Sequence, residues 1–151
     1  SFSLKRAYYS AFSPVPDTPL EGHLPGSHVR ERRLYQASFL LRDYGFTLEE
    51  LPFKESGDLP TEIDPKLAWA SANLQEEPIE INKAERWMLL RLPGVGPKSA
   101  DAILSARRNQ RIQSVSDLAK MGIDVERLQP YILINGKKAE QQLSLWSPGG
   151  F

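Results

Sequence analysis

Gly94 and Gly96 flank Val95 between two prolines, Pro93 and Pro97, and Lys98 and Ser99 follow at once. Glycine accepts positive φ and carries no Cβ, so the N–H groups of such a corner face outward together. A helix opening at Pro97 adds its first amides, which have no partner within the helix. The result is a cradle for an anion, strengthened by the helix dipole and the Lys98 ammonium, with the Ser99 hydroxyl as a further donor. Arg107 and Arg108 extend the positive charge along the same helix. A phosphodiester backbone suits such a cradle and is held without its bases being read. The alternative is packing alone, in which the glycines serve only to bring two helices close.

Other phosphate-binding motifs fail on residue identity. A dinucleotide fingerprint needs GxGxxG after a strand, whereas the third position is Ser99 and a helix pattern precedes. A Walker A loop needs a glycine directly before its lysine and another five residues earlier, where this chain has Pro97 and Leu92.

The elements that position the corner are helical. Asn82 with Glu85 three residues on has capping-box logic, and KAERWMLLRL predicts a helix to Leu92, packed on most sides, that Pro93 stops. In PKSADAILSARR, Ala100, Ile103 and Leu104 form an inner stripe. Further on, SVSDLAK predicts a helix that turns at Met121-Gly122-Ile123-Asp124, a second corner with one glycine where the first has two. Gly122 and Ile123 are therefore read as structural, and Pro130 ends or bends the last helix near Gln129.

Ahead of this half, KRAYYSAF predicts a short strand, and Pro14, Pro16, Pro19 and Pro25 make the next stretch a stiff loop. Leu34, Ala37, Leu41 and Tyr44 mark an amphipathic helix from about Val29, closed by Gly45. Thr47 and Glu50 have capping-box spacing, but Pro52 limits that helix to a turn. Asp64 before Pro65 opens another short helix, which QEEP ends. The opening strand meets either YILI and QLSLW, joined at Asn135-Gly136, or neighbours outside this chain, which then reads as the cut end of a larger protein.

Composition narrows the class. The 151 residues are 40% hydrophobic and 25% charged, with a net charge of zero, as expected of a globular chain. Residues 1–77 carry 8 basic and 12 acidic side chains and residues 78–138 carry 11 and 6, so the basic half is the candidate for a polyanion. There is no cysteine, hence no disulfide, Cys-based zinc site or iron–sulfur ligation from these residues. No run has the length of a membrane span and no signal-peptide pattern opens the chain, so a cytoplasmic address and no membrane partner are expected. His23 and His28 lack a third metal-type ligand nearby and are read as loop residues. Glu49, Glu50, Glu62 and Asp64 sit at helix starts rather than as a catalytic pair. Arg30, Arg32 and Arg33 read as a solvated face, and Tyr8, Tyr9, Phe12, Trp69, Trp87 and Trp146 as packing aromatics.

The stretch IEINKAERWMLLRLPGVGPKSADAILSARRNQRIQSVSDLAKMGIDVERLQPYI resembles the paired helix-hairpin-helix module of DNA-uptake competence proteins. That resemblance implies non-sequence-specific contact with duplex phosphates at the GVG hairpin. YYSAFSPVPDTPL, GHLPGSHVRERRLYQASFLLRDYGF and DPKLAWA resemble the C-terminal region of a radical SAM family associated with DNA modification or repair. The likeness implies a catalytic barrel upstream with a CxxxCxxC motif, a 4Fe-4S cluster, S-adenosylmethionine and a uracil-DNA-glycosylase-like partner protein. This chain has no CxxxCxxC and is not expected to be catalytic alone.

The expected architecture is mainly α with a minor β element: a truncated barrel-end strand and linking helices over 1–77, a tandem helix-hairpin-helix DNA-binding domain with a degenerate second hairpin over 78–134, and a C-terminal hairpin or tail over 135–151.

Overall fold

Residues 6–139 are described by a computed structural model of the chain. Its first helix, α1 (His28–Asp43), begins where the Ser27 hydroxyl accepts from the Arg30 N–H and ends at Tyr44, with Gly45 at φ +68°. A single turn over Leu48–Glu50 carries the expected Thr47/Glu50 capping box. The helix α2 (Pro65–Asn73) opens as its sequence requires, the Asp64 carboxylate accepting from the Leu67 N–H and Pro65 filling the first turn.

A two-residue strand, β1 (Ile79–Glu80), leads into α3 (Arg86–Leu89) and then α4 (Pro97–Asn109). A second helix pair follows, α5 (Val115–Lys120) and α6 (Val125–Leu128), before β2 (Ile132–Ile134) and β3 (Lys137–Lys138). The strand β1 runs parallel to β2, with Ile79 beside Ile132, and β2 is antiparallel to β3. Asn135 and Gly136, at φ +54° and +78°, make the tight turn between them. Glu80 fastens that turn: its carboxylate accepts from the N–H groups of Asn135 (3.2 Å) and Gly136 (2.7 Å).

Apolar side chains gather in two neighbouring cores. The larger contains Leu89, Leu92, Val95, Ala100, Ile103, Leu118, Leu128, Ile132 and Ile134, and reaches back to Ala70 of α2 and to Leu74 just after it. The smaller, Ala37, Leu40, Phe46, Leu51 and Leu59, lies under α1. Tyr44 and Trp69 pack against both.

Several expectations are corrected here. Arg6–Phe12 forms no strand. Side chains of α1 satisfy its backbone instead: the Tyr35 hydroxyl accepts from the Tyr9 N–H and donates to the Tyr9 carbonyl, both at 3.0 Å, and Glu31 accepts from the Ala11 N–H (2.9 Å). The parallel partner of the YILI strand is accordingly Ile79–Glu80, while QLSLW and Trp146 lie outside the described residues. Tyr8 and Phe12 are exposed rather than packed. The helix expected over KAERWMLLRL shrinks to four residues, because Asn82 does not cap it. Its amide donates to the Ile112 carbonyl and accepts from the Ile112 N–H, both at 2.9 Å, clamping the segment after β1 to the one before α5. Trp87, on so short a helix, is 54% exposed and donates to Glu85.

One buried cation joins the halves. Arg91 is 5% exposed, and its guanidinium forks onto Glu50 with both bonds at 2.8 Å. It also donates to the carbonyls of Tyr44 and Gly45, both at 3.0 Å, and lies 4.1 Å from the centre of the Phe46 ring. Burial opposes the Glu50 charge, yet the Arg91 bonds and the Thr47 N–H hold its carboxyl below the usual value.

Arg91→Met leaves Glu50 without its partner and two carbonyls without donors. Urea unfolding should show a loss of about 3 kcal/mol, of the size found when one member of a buried pair is removed. Arg91→Lys, which keeps the charge but not the fork, should recover only part of it.

Candidate functional site

The corner between α3 and α4 is built as its residues dictate. Leu90–Leu92 tightens the end of α3, with Leu92 N–H donating to the Leu89 carbonyl, and Pro93 permits no further turn. Gly94 sits at φ +77°, the conformation that excludes most side chains. Gly96, by contrast, is extended (φ −98°, ψ −178°), so its need for glycine is one of space: a Cβ there would lie 3.2 Å from the Tyr44 hydroxyl.

Val95 is inverted relative to its neighbours, its side chain buried in the larger core and its N–H donating to the Leu92 carbonyl. Among the described residues, the N–H groups of Gly94, Gly96, Lys98 and Ser99 have no protein acceptor. Gly94 and Lys98 are exposed, Gly96 and Ser99 half-buried, and Lys98 forms no ion pair among the described residues. Four free donors, the start of a 13-residue helix and an exposed ammonium thus occupy one corner.

The remaining candidates divide. Arg107 and Arg108 are at the far end of α4, about 13 Å along the axis from Lys98 at the standard helical rise. Arg107 is half-buried and donates to the Ile81 carbonyl (3.0 Å), tying α4 to the segment after β1, while Arg108 is exposed. Neither converges on the glycines.

The second hairpin uses its amides internally. Met121 N–H donates to Leu118, Gly122 N–H to Ala119 (2.9 Å) and Ile123 N–H to Leu118 (3.4 Å), with Gly122 at φ +76°. Ile123 is buried, and α6 is a single turn capped by Asp124. This hairpin instead supports the first: a Cβ on Gly94 would lie 3.2 Å from the Asp124 carbonyl oxygen.

Three residues around the corner carried no motif. Tyr44, at the end of α1, presents its hydroxyl to Gly96. Lys66, in the first turn of α2, donates to the Val95 carbonyl, and its Nζ lies 4.6 Å from the centre of the Tyr44 ring. Burial pulls the Lys66 amine down from 10.5 to about 7, helped by Arg127 and Arg91 and opposed by Asp64. Arg127 of α6 reaches across to the Asp64 carboxylate (2.6 Å). Only the Asp64-Pro65 cap hinted in the sequence that α2 starts here, and nothing in it placed that start against the glycines. Among the described residues no group of three or more His, Cys, Asp or Glu side chains is placed to hold a metal.

Comparison with known proteins agrees with this geometry. Residues 74–132 match the helix-hairpin-helix motif, a module whose presence suggests non-specific DNA binding. No curated protein and no solved structure matches the chain significantly. The matched span holds β1, both helix pairs and the first residue of β2, and leaves α1 and α2 outside it.

Two measurements probe the corner itself. Gly94→Ala forces a Cβ into left-handed backbone and against Asp124, and should lower stability by about 1–2 kcal/mol in urea unfolding. For Lys66, the unfolded chain holds the extra proton between about pH 7 and 10.5, so folding stability rises with pH in that window. Relative to Lys66→Met, the wild type should therefore gain stability between pH 7 and about pH 9.

Proposed function

We propose that this chain binds duplex DNA through the phosphate backbone, without reading sequence, at the Gly94–Lys98 corner. The supporting observation is the set of four N–H groups at Gly94, Gly96, Lys98 and Ser99 that have no acceptor among the described residues, beside an exposed lysine with no ion pair among them, within a helix-hairpin-helix motif. The amides fix one phosphate by geometry and Lys98 adds charge without geometry. The excess of 11 basic over 6 acidic side chains in residues 78–138 favours a polyanion over other anions.

A second reading has its own support. The corner is also a packing surface: Val95 accepts from Lys66, Gly96 faces Tyr44 and Gly94 faces Asp124. A module that only rigidifies a larger protein would bind DNA at no salt concentration.

The finer reading, in which residues 1–77 are the end of a radical SAM barrel and 78–134 deliver DNA to it, rests on the likeness of the phrases around Tyr8, Gly22 and Asp64. A 4Fe-4S cluster would be ligated elsewhere, since these residues contain no cysteine. S-adenosylmethionine and a uracil-DNA-glycosylase-like partner belong to that same reading.

Fluorescence anisotropy of a labelled duplex across a salt series separates the two readings. Binding should weaken as salt rises, and Lys98→Ala should flatten the logarithmic salt dependence by about one unit. Gly96→Val, which pushes a side chain at Tyr44 and across the amides, should abolish binding while its circular dichroism stays native. Salt-independent binding, or none by folded protein at low salt, sinks the phosphate reading.

A further inference from the structure

The hairpin is one wall of a cleft of ≈ 540 Å³ whose opposite wall is the last turns of α1. Gln36, Phe39 and Tyr44 line that wall, Lys66 the floor beside the Val95 carbonyl, and Arg127 one end. The volume lies within the range of small-molecule sites and exceeds what a single base requires.

Its chemistry is mixed in a particular way. Phe39 is 47% exposed, and Arg42, which does not line the cleft, lies 4.8 Å from the ring centre. Arg42 is itself fixed by a bidentate pair with Asp43 (3.0 and 2.9 Å), so Phe39 is a braced aromatic platform. That pair also neutralises Asp43, the one carboxylate lining the cleft. Gln36 accepts from Arg33 through its carbonyl oxygen (2.9 Å), which leaves its amide N–H groups for a ligand. Arg127, paired with Asp64 (2.6 Å), closes one end, and the hairpin on the facing wall carries N–H groups of Gly94 and Gly96 that have no acceptor among the described residues.

An aromatic platform and amide donors next to an anion cradle match the parts of one nucleotide: base face, base edge and phosphate. We infer that the cleft between α1 and the GVG hairpin accepts a single unpaired nucleotide of a DNA strand whose phosphate the hairpin holds, its base stacking on Phe39. The inference rests on the phosphate reading of the hairpin and adds to it a preference among DNA structures. A regular duplex keeps its bases stacked inside and reaches only the hairpin. A bulged or single-stranded nucleotide reaches the cleft as well.

The test compares three labelled DNAs by anisotropy: a perfect duplex, the same duplex with one bulged nucleotide, and the same bulge made abasic. The base-bearing bulge should bind at least about fivefold tighter than the duplex, as one stacked base allows. The abasic bulge should lose that gain. Phe39→Ala should remove the gain and leave duplex binding unchanged, and Phe39→Trp should retain it. Equal affinity for the two bulges would mean that DNA flexibility alone sets the preference, and would overturn the proposal with the hairpin reading intact. Phe39→Ala weakening all three DNAs alike also overturns it. Failure of the folded wild type to bind any of the three removes the hairpin reading and this one together. Unlike Phe39→Ala, Lys98→Ala should weaken all three by the same factor, since each presents the same phosphate.

Discussion

A buried guanidinium holds this molecule together. Arg91 stands two residues before Pro93, at the end of the helical segment that leads into the hairpin, and reaches out of its own half to the end of α1. There it supplies donors to two carbonyls that a helix end leaves without partners, and its positive charge lies at the negative end of the α1 dipole. A charge so deeply buried is tolerated only where its hydrogen bonds are met. Here the Glu50 carboxylate takes two, backbone carbonyls take others, and Phe46 covers the guanidinium face. Every partner lies between Tyr44 and Glu50, apart from a 3.5 Å contact with the Trp87 carbonyl and the rings of Trp69 and Trp87 further off. One side chain thereby fixes the distance from the end of α1 to the start of the hairpin.

The setting of the glycines follows from that distance. With its carbonyl held by Arg91, Tyr44 places its hydroxyl against Gly96 and its ring under the Lys66 ammonium. Lys66 then occupies the Val95 carbonyl, so the inward side of the corner is satisfied by protein while the N–H groups of Gly94 and Gly96 stay unpaired among the described residues. Asp64 links the same elements from the other side, capping α2 through the Leu67 N–H and pairing with Arg127 from the second helix pair. The second hairpin, with its amides turned inward, buttresses the first.

Local chemistry was legible wherever a residue decides its own backbone. The caps at Asp64 and Thr47, the start at Pro97 and the positive φ at Gly45 and Gly94 all follow from side chains acting on neighbours a few residues away. The failures share one cause. Asn82 had the spacing of a cap, but Ile112, 30 residues on, offered both a donor and an acceptor and won its amide. Aromatic residues near Tyr9 had the composition of a strand, but side chains from α1 met the backbone hydrogen bonds a second strand would have supplied. Arg107, read in the sequence as a phosphate ligand, also spends one N–H on the Ile81 carbonyl, a bond between residues 26 apart.

By itself, the sequence determined the corner: prolines that end one helix and begin the next, a glycine where φ is positive, and a lysine on the first exposed turn. These are properties of short stretches, set by sterics and by hydrogen bonds that a helix end cannot make internally. Only the tertiary structure decided what faces the corner. The fork of Arg91 on Glu50, the amine of Lys66 brought down to about 7, and the cleft walled by Phe39 and Tyr44 join residues tens of positions apart. Burial gives each contact its strength, and burial depends on how the elements pack.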